Sequence, residues 1–273
     1  MSIYDPLLEF MEARHEIYLA RANGLPAPWT DDPILRTYSF TNVYRELDRT
    51  TIWIKDHWRR PDPDLFFAMA VARYVNLPAT LEELTYPVPW NPDQFLQVLN
   101  DRRVLRLPMQ GHAYMIKPDR AGGTTAQFLA NRVLGPMWEK RATLRPQAGD
   151  TLQTFHARLI ECYSVGSFMA GQIIADTKHA DPNLMLVPDW FTWCCPGPGS
   201  QKGLSLLHDL PLQKAWSPSA FLEEVNNIQL YLIGRWPYPV PDAQDVQNCL
   251  CEYSKYHLAQ LGIKRPKRLY PAR

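Results

Sequence analysis

The stretch LFFAMAVARYV, residues 65–75, decides the fold class. It is apolar nearly all the way round a helix, which places it in the centre of a helical core rather than on a surface. Asp64 stands just ahead of it, in the position of an N-cap. Outward from this run the same punctuation repeats. Asp31 and Asp32 precede Pro33, Thr151 precedes LQTFHARLIECY, Ser217 precedes PSAFLEEVNNIQLYLIGR, and Asp242 precedes AQDVQNCLCEYSKYHLAQLG. Each is a cap residue followed by a helix-period run, twice with proline at the first turn. A further helix opens at Thr124 or Thr125 in TTAQFLANRVLGPMWEKR, and residues 3–22 space Ile3, Leu7, Phe10, Met11, Ile17 and Leu19 at helical intervals. The 25 prolines gather at joints, such as Pro87/Pro89/Pro92 and Pro237/Pro239/Pro241. Strand-like alternation is scarce; HAYMI, 112–116, is the best candidate for a short hairpin. The expectation is an all-α protein of eight to eleven helices.

The chain has 273 residues, 46% hydrophobic and 21% charged, the composition of an ordinary globular protein. It is long enough for one core or for two packed lobes. No apolar run approaches a membrane span, and MSIYDPLLEFMEARHEI has no secretory pattern, so a cytoplasmic location is expected. Cys162, Cys194, Cys195, Cys249 and Cys251 match neither a zinc knuckle nor a redox C-x-x-C, and read as reduced thiols. The seven histidines show no ligand spacing, and a P-loop, a G-x-G-x-x-G and an H-E-x-x-H are all absent.

The net charge of +1 is unevenly spread. Residues 101–145 carry nine Lys/Arg against three Asp/Glu, and 253–273 carry six Lys/Arg and no acid. Two such segments suit a surface that displaces counterions from nucleic acid. The second, ending GIKRPKRLYPAR, reads equally as a frayed, solvated end.

Four regions carry candidate chemistry. In YSFTNVYRELDRTTIWI (38–54), read as a helix, Tyr38, Asn42, Arg45 and Asp48/Arg49 share one face. The aromatics Tyr38, Phe40, Tyr44, Trp53 and Trp58 could stack a base. In LIECYSVGSFMAGQIIADTKHADPNLMLVPDW (159–190), a helix, a tight turn at Gly166 and a second helix entered at Ser167 precede Asp189. In CCPGPGSQKGL (194–204), Gly199, Ser200 and Lys202 belong to a glycine-rich loop suited to anions. In DVQNCLCEYSKY (245–256), Asn248, Glu252 and Lys255 lie at i, i+4 and i+7.

The second region resembles the helix-hairpin-helix DNA glycosylases, in which an aspartate follows the hairpin at a similar distance. The resemblance implies Gly166 and Ser167 at a DNA phosphate and Asp189 in catalysis. Phe168 stands where bifunctional members carry a Schiff-base lysine. More of the chain is covered by a second resemblance. PWTDDPILRTYSFTNVYRELDRTTIWI (28–54), GPGSQKGL (197–204) and NCLCEYSKY (248–256) are similar to the α-glutamyl/putrescinyl thymine pyrophosphorylase superfamily. That group includes the helical domain associated with 5-hydroxymethyluracil DNA kinases and the phage amino acid:DNA transferases.

What this resemblance implies is one DNA-glycosylase-like helical domain over 1–273, with two lobes meeting at an active-site cleft as its variant. Its substrate would be DNA bearing a phosphorylated 5-hydroxymethyluracil, whose phosphate or pyrophosphate is displaced by an amino acid or polyamine in the host cytoplasm. Asp189, Asp48 and Glu252 are the catalytic candidates. Arg45, Asn42, Tyr38, Lys202, Asn248 and Lys255 are candidates for substrate, and Gly166, Ser167, Gly199, Ser200 and Arg120 for DNA. No cofactor is required, and a divalent metal such as Mg²⁺ on the pyrophosphate is compatible. Two rivals stand beside this reading: a glycosylase that excises a modified base, and a DNA-reading accessory without catalysis.

Overall fold

The computed structural model describes residues 2–111 and 123–270, so the candidate hairpin at 112–116 lies outside the described residues. Those residues form α-helices and short helical turns. The helices are α1 (Asp5–Ala22), α2 (Pro33–Thr37), α3 (Arg49–His57), α4 (Leu65–Val75), α5 (Pro78–Leu84), α6 (Pro92–Val104) and α7 (Thr125–Phe128). There follow α8 (Gly135–Glu139), α9 (Arg141–Leu144), α10 (Leu152–Leu159), α11 (Ser167–Thr177), α12 (Pro198–Leu207), α13 (Pro218–Leu232) and α14 (Ala243–Gln260). Among the described residues the β-pairing is one isolated antiparallel bridge, Tyr38 with Leu269. No helix there is long and apolar enough to cross a membrane.

The fourteen α-helical segments among the described residues exceed the eight to eleven expected, because single periodic runs are cut into pieces. The run from Thr124 is the clearest case. Thr124 caps α7 in a capping box with Gln127, then Leu129–Leu134 winds as a π-helix before α8 begins. Pro136 has no N–H to return to the preceding turn, so the ladder changes register ahead of it.

The caps form where short polar side chains precede periodic runs. Asp32, Thr151, Ser217 and Asp242 each accept backbone N–H groups at the start of α2, α10, α13 and α14. Asp64 does not. Its carboxylate accepts no N–H of α4 and instead pairs with Arg141 at 3.3 Å.

The chain divides into two compact units, Met1–Asp48 with Phe191–Arg273, and Arg49–Trp190. In the second unit every residue of α4 is buried, as its uninterrupted apolarity requires, and α11 packs along it. The one charge in α4, Arg73, donates to Asp176 of α11 from Nη2 at 2.7 Å and to Thr51 at 2.9 Å. Both partners of this pair are buried, and removing either would strand a charge in the interior.

In the first unit, Leu7, Phe10 and Met11 of α1, Phe221 and Val225 of α13, and Val246, Leu250 and Tyr253 of α14 share one hydrophobic core. Here CCPGPGSQKGL is not an anion-binding loop. From Pro198 onward it is α12, laid against α14 with glycines at the crossing. A Cβ on Gly203 would fall 2.1 Å from the Leu250 carbonyl oxygen, and one on Gly199 would fall 2.3 Å from Cys251 Sγ. These glycines are spent on close helix approach.

Residues 38–44 are not helical either. Tyr38 leaves α2 with extended angles, and only Arg45–Leu47 forms a 3-10 turn. The amphipathic pattern loses because distant groups take up the backbone N–H groups of this run. Ser39 donates to Arg268 O, Thr41 to Glu252, and Arg45 to Asp245.

Candidate functional site

A buried arginine organises the polar centre of the first unit. Arg14, 3% exposed, lies on the stripe of α1 that also carries Leu7, Phe10, Met11 and Ile17. Its Nε donates to the carbonyls of Phe40 and Thr41 at 3.2 and 3.1 Å. Its Nη2 donates to Phe40 O at 2.9 Å and Asn42 Oδ1 at 2.5 Å. Burial pulls the guanidinium pKa down, against the carboxylates of Asp48 and Glu252, which favour its charged form.

The run 41–48 is thereby folded into a polar loop. The Asn42 backbone N–H donates to Asp48 Oδ1 at 3.2 Å, and Asn42 Nδ2 donates to Leu47 O at 2.7 Å. α14 supplies the opposite side. Asp245, Asn248, Glu252 and Lys255 recur at helical spacing along one face of it. Asn248 Nδ2 donates to Thr41 Oγ1 at 3.0 Å and to Asn42 O at 3.3 Å. Glu252 Oε2 accepts the Thr41 N–H at 3.3 Å, while Oε1 pairs closely with Lys255. The Glu252 side chain is 7% exposed and that of Lys255 49%, so the pair leads from the interior to the surface.

Two further groups reach this surface. Cys251 is pushed up to about 11 by burial, with Lys255 drawing it down, Glu252 raising it and Lys202 drawing it down. Both lysines are therefore within electrostatic reach of one thiol. Lys202 is exposed on α12. The arrangement offers two surface cations, a buried carboxylate and amide side chains within one unit.

The structure thus gathers Asn42, Asp48, Asn248, Glu252 and Lys255, and Lys202 of α12 shares with Lys255 an electrostatic influence on Cys251. Other sequence candidates are placed differently. Tyr38 is half-buried against the core of this unit. Arg45, the guanidinium expected to meet the departing phosphate, is an interior residue, 6% exposed. Ser200, fully buried, accepts the Gly197 N–H at 2.9 Å, donates to Gly197 O at 3.0 Å and accepts from Gln247 Nε2 at 3.0 Å. Gly199 sits against Cys251. Ser200 presents no surface, and Gly199 is partly buried.

In the second unit, Asp189 accepts the N–H groups of Leu152 at 2.8 Å and Gln153 at 3.0 Å, one on each oxygen. It satisfies two orphan donors at the start of α10, so this carboxylate, expected as a general base, has a capping role as well. Gly166 and Ser167 are exposed at the start of α11. The turn itself differs from expectation. Gly166 has φ −70°, and Ser164 takes the left-handed conformation with φ 62°. Arg120 lies outside the described residues.

Three residues of the centre escaped the sequence reading: Arg14, Thr41 and Asp245. Arg14 left a trace, a charge on an otherwise apolar stripe. Thr41 and Asp245 act through long-range backbone bonds and left none. Among the described residues, no group of three or more His, Cys, Asp or Glu is placed to hold a metal ion, and all five cysteines are free thiols.

No solved structure matches this chain. A relative, the 5-hmdU DNA kinase of Bacillus phage SP10, is 25% identical over 309 aligned positions. The alignment takes in 98% of this chain and 48% of the kinase, so the chain spans about half the length of that relative. The family described as "5-hmdU DNA kinase, helical domain" matches residues 1–263. With an all-helical fold and a match over nearly its whole length, the chain belongs to this helical-domain family.

Proposed function

We propose that this chain takes part in phage thymine hypermodification, acting on DNA that contains a phosphorylated 5-hydroxymethyluracil and replacing the phosphate with an amine. In this reaction the bond from the 5-methylene carbon to the phosphate oxygen breaks and a carbon–nitrogen bond forms. Phosphate or pyrophosphate leaves with the electron pair, and the incoming ammonium gives up one proton. The base must first leave the stack.

The observation that carries this reading is the convergence of the 41–48 loop with the Asn248–Glu252–Lys255 face of α14. Lys255 and Lys202 receive the departing phosphate, since compact ammonium charges stabilise developing negative charge. Glu252 holds the amine and takes its proton, with Asp48, which accepts the Asn42 N–H, as the second carboxylate of the site. Asn248 donates both amide hydrogens into the loop, and its Oδ1 accepts no hydrogen bond among the described residues. That oxygen suits the imide N–H of a pyrimidine.

A second reading is favoured by the family description and the half-length match. In it the chain is the DNA-reading helical portion of a kinase system, and phosphorylation is done elsewhere. One experiment separates the two. DNA containing phosphorylated 5-hydroxymethyluracil is incubated with the protein and a panel of amino acids and polyamines, digested to nucleosides and weighed by mass spectrometry. An amine-bearing nucleoside supports transfer. Selective binding without a new nucleoside supports the reading module, and base loss would support a glycosylase.

A further inference from the structure

Residues 264–270 (KRPKRLY) lie beyond the part matched by the family, yet they are seated on the run that leads into the site. Leu269 bridges Tyr38, the Ser39 N–H donates to Arg268 O at 2.8 Å, and the Tyr270 N–H donates to Thr37 O at 3.4 Å. Three residues past Ser39 comes Asn42, whose backbone meets Asp48. The same run is therefore held by this segment at 37–39 and by Arg14 and Glu252 at 40–42.

The seat is specific. Arg21 of α1 lies 5.2 Å from the ring centroids of both Trp29 and Tyr270, and those rings meet edge to face at 5.2 Å. Tyr270 is half-buried, packed against the hydrophobic core of this unit. Gly262, left-handed with φ 69°, ends α14, and Pro266, with its fixed φ and no N–H, keeps the following segment out of a helix.

What the seated backbone presents outward is charge. Lys264, Arg265, Lys267 and Arg268 are all exposed, with no acid between them, and none joins an ion pair among the described residues. Arg36 is exposed on α2, one residue before Thr37. A solvated end explains exposed cations but not a backbone pinned at Arg268, Leu269 and Tyr270 beside a polar site. We propose that Lys264–Arg268 form a basic arm that holds the phosphate backbone of the DNA substrate next to the base bound at the Asn42–Glu252 site. The arm fixes register through charge, without reading sequence. This inference rests on DNA being the substrate.

The test is binding of a fluorescent thymine-containing duplex across a salt series, with turnover measured alongside. Removing four phosphate contacts in K264S/R265S/K267S/R268S should flatten the slope of log affinity against log salt by about 3–4. Tyr270→Ala keeps all four charges and unseats them. It should weaken binding about tenfold at moderate salt, equivalent to about 1.4 kcal/mol, and raise KM for DNA while leaving kcat alone. If wild type binds steeply and both variants match it, the arm is overturned while the DNA reading stands. If Tyr270→Ala alone matches wild type, the charges act without a seat and the arm as stated is overturned. If wild type binds no DNA form, the DNA reading falls and the arm with it. Unchanged thermal melting of the variants establishes that the fold is intact.

Discussion

Glu252 and Thr41, 211 residues apart in sequence, are joined by a 3.3 Å hydrogen bond from the Thr41 backbone N–H to Glu252 Oε2. The bond fixes an extended loop against α14 and leaves the other carboxylate oxygen to Lys255. One carboxylate thus closes the loop and faces the surface cation.

Glu252→Gln keeps the acceptor for Thr41 and removes the charge. If Glu252 takes the proton of the incoming amine, turnover on phosphorylated 5-hydroxymethyluracil DNA should drop about 10²–10⁴-fold with DNA affinity retained. Single-turnover product formation measures it. A Gln variant that turns over at the wild-type rate would move the proton acceptor elsewhere.

The α12–α14 crossing makes a prediction about stability. Gly203→Ala drives a Cβ into the rigid Leu250 carbonyl and should cost about 1–3 kcal/mol or more. Gly199→Ala meets the Cys251 side chain instead, so Cys251→Ala should rescue it in part. A double-mutant cycle by urea unfolding should show a favourable coupling of at least about 0.5 kcal/mol for the 199/251 pair. Additive losses would mean that the two positions do not touch.

Asp189→Ala leaves two N–H groups of α10 without their acceptor and should cost about 0.5–2 kcal/mol. Asp189→Asn, which keeps one acceptor oxygen, should recover part of this. Turnover by the folded fraction should match wild type in both. A loss of turnover in Asp189→Asn with stability unchanged would restore the catalytic assignment.

Asp150 gives a pH signature. Burial raises its carboxyl pKa, but the Arg158 hydrogen bond, the Gln147 N–H and Thr154 outweigh burial, and the net shift is downward. A depressed folded value means stability present above the unfolded carboxylate pKa of about 3.9 and lost as pH falls through the lower folded one. Asp150→Asn should therefore cost about 2 kcal/mol at pH 7, the scale of a charged hydrogen bond, with the gap shrinking toward pH 3. Urea unfolding at both pH values measures it; a gap that does not change with pH contradicts this assignment.

The all-helical class and most helix starts were legible in the residues. Asp32, Thr151, Ser217 and Asp242 cap as read, and Thr124 takes the cap of a helix whose start lay open between Thr124 and Thr125, because a short polar side chain before a periodic run acts on its own next few N–H groups. The burial of α4 followed likewise from apolarity all round it. Asp64 shows where such reading ends: the residue type is right for a cap, and Arg141 takes the carboxylate instead.

What sequence alone determined, then, are features whose partners lie within a few residues: helix class, caps, proline joints, and the common face of Asn248, Glu252 and Lys255. Tertiary structure alone decided the rest. Residues 38–44 carry a helical pattern yet form no helix, because Arg268 O, Glu252 and Asp245 accept N–H groups there and immediately after, at Ser39, Thr41 and Arg45. Arg14 became the buried centre of the site, and Arg45 turned inward. Asp189 was drawn to the start of a helix 36 residues earlier in the chain. In each case the deciding partner is remote in sequence, and a hydrogen bond to a remote partner leaves no periodicity in the chain from which to read it.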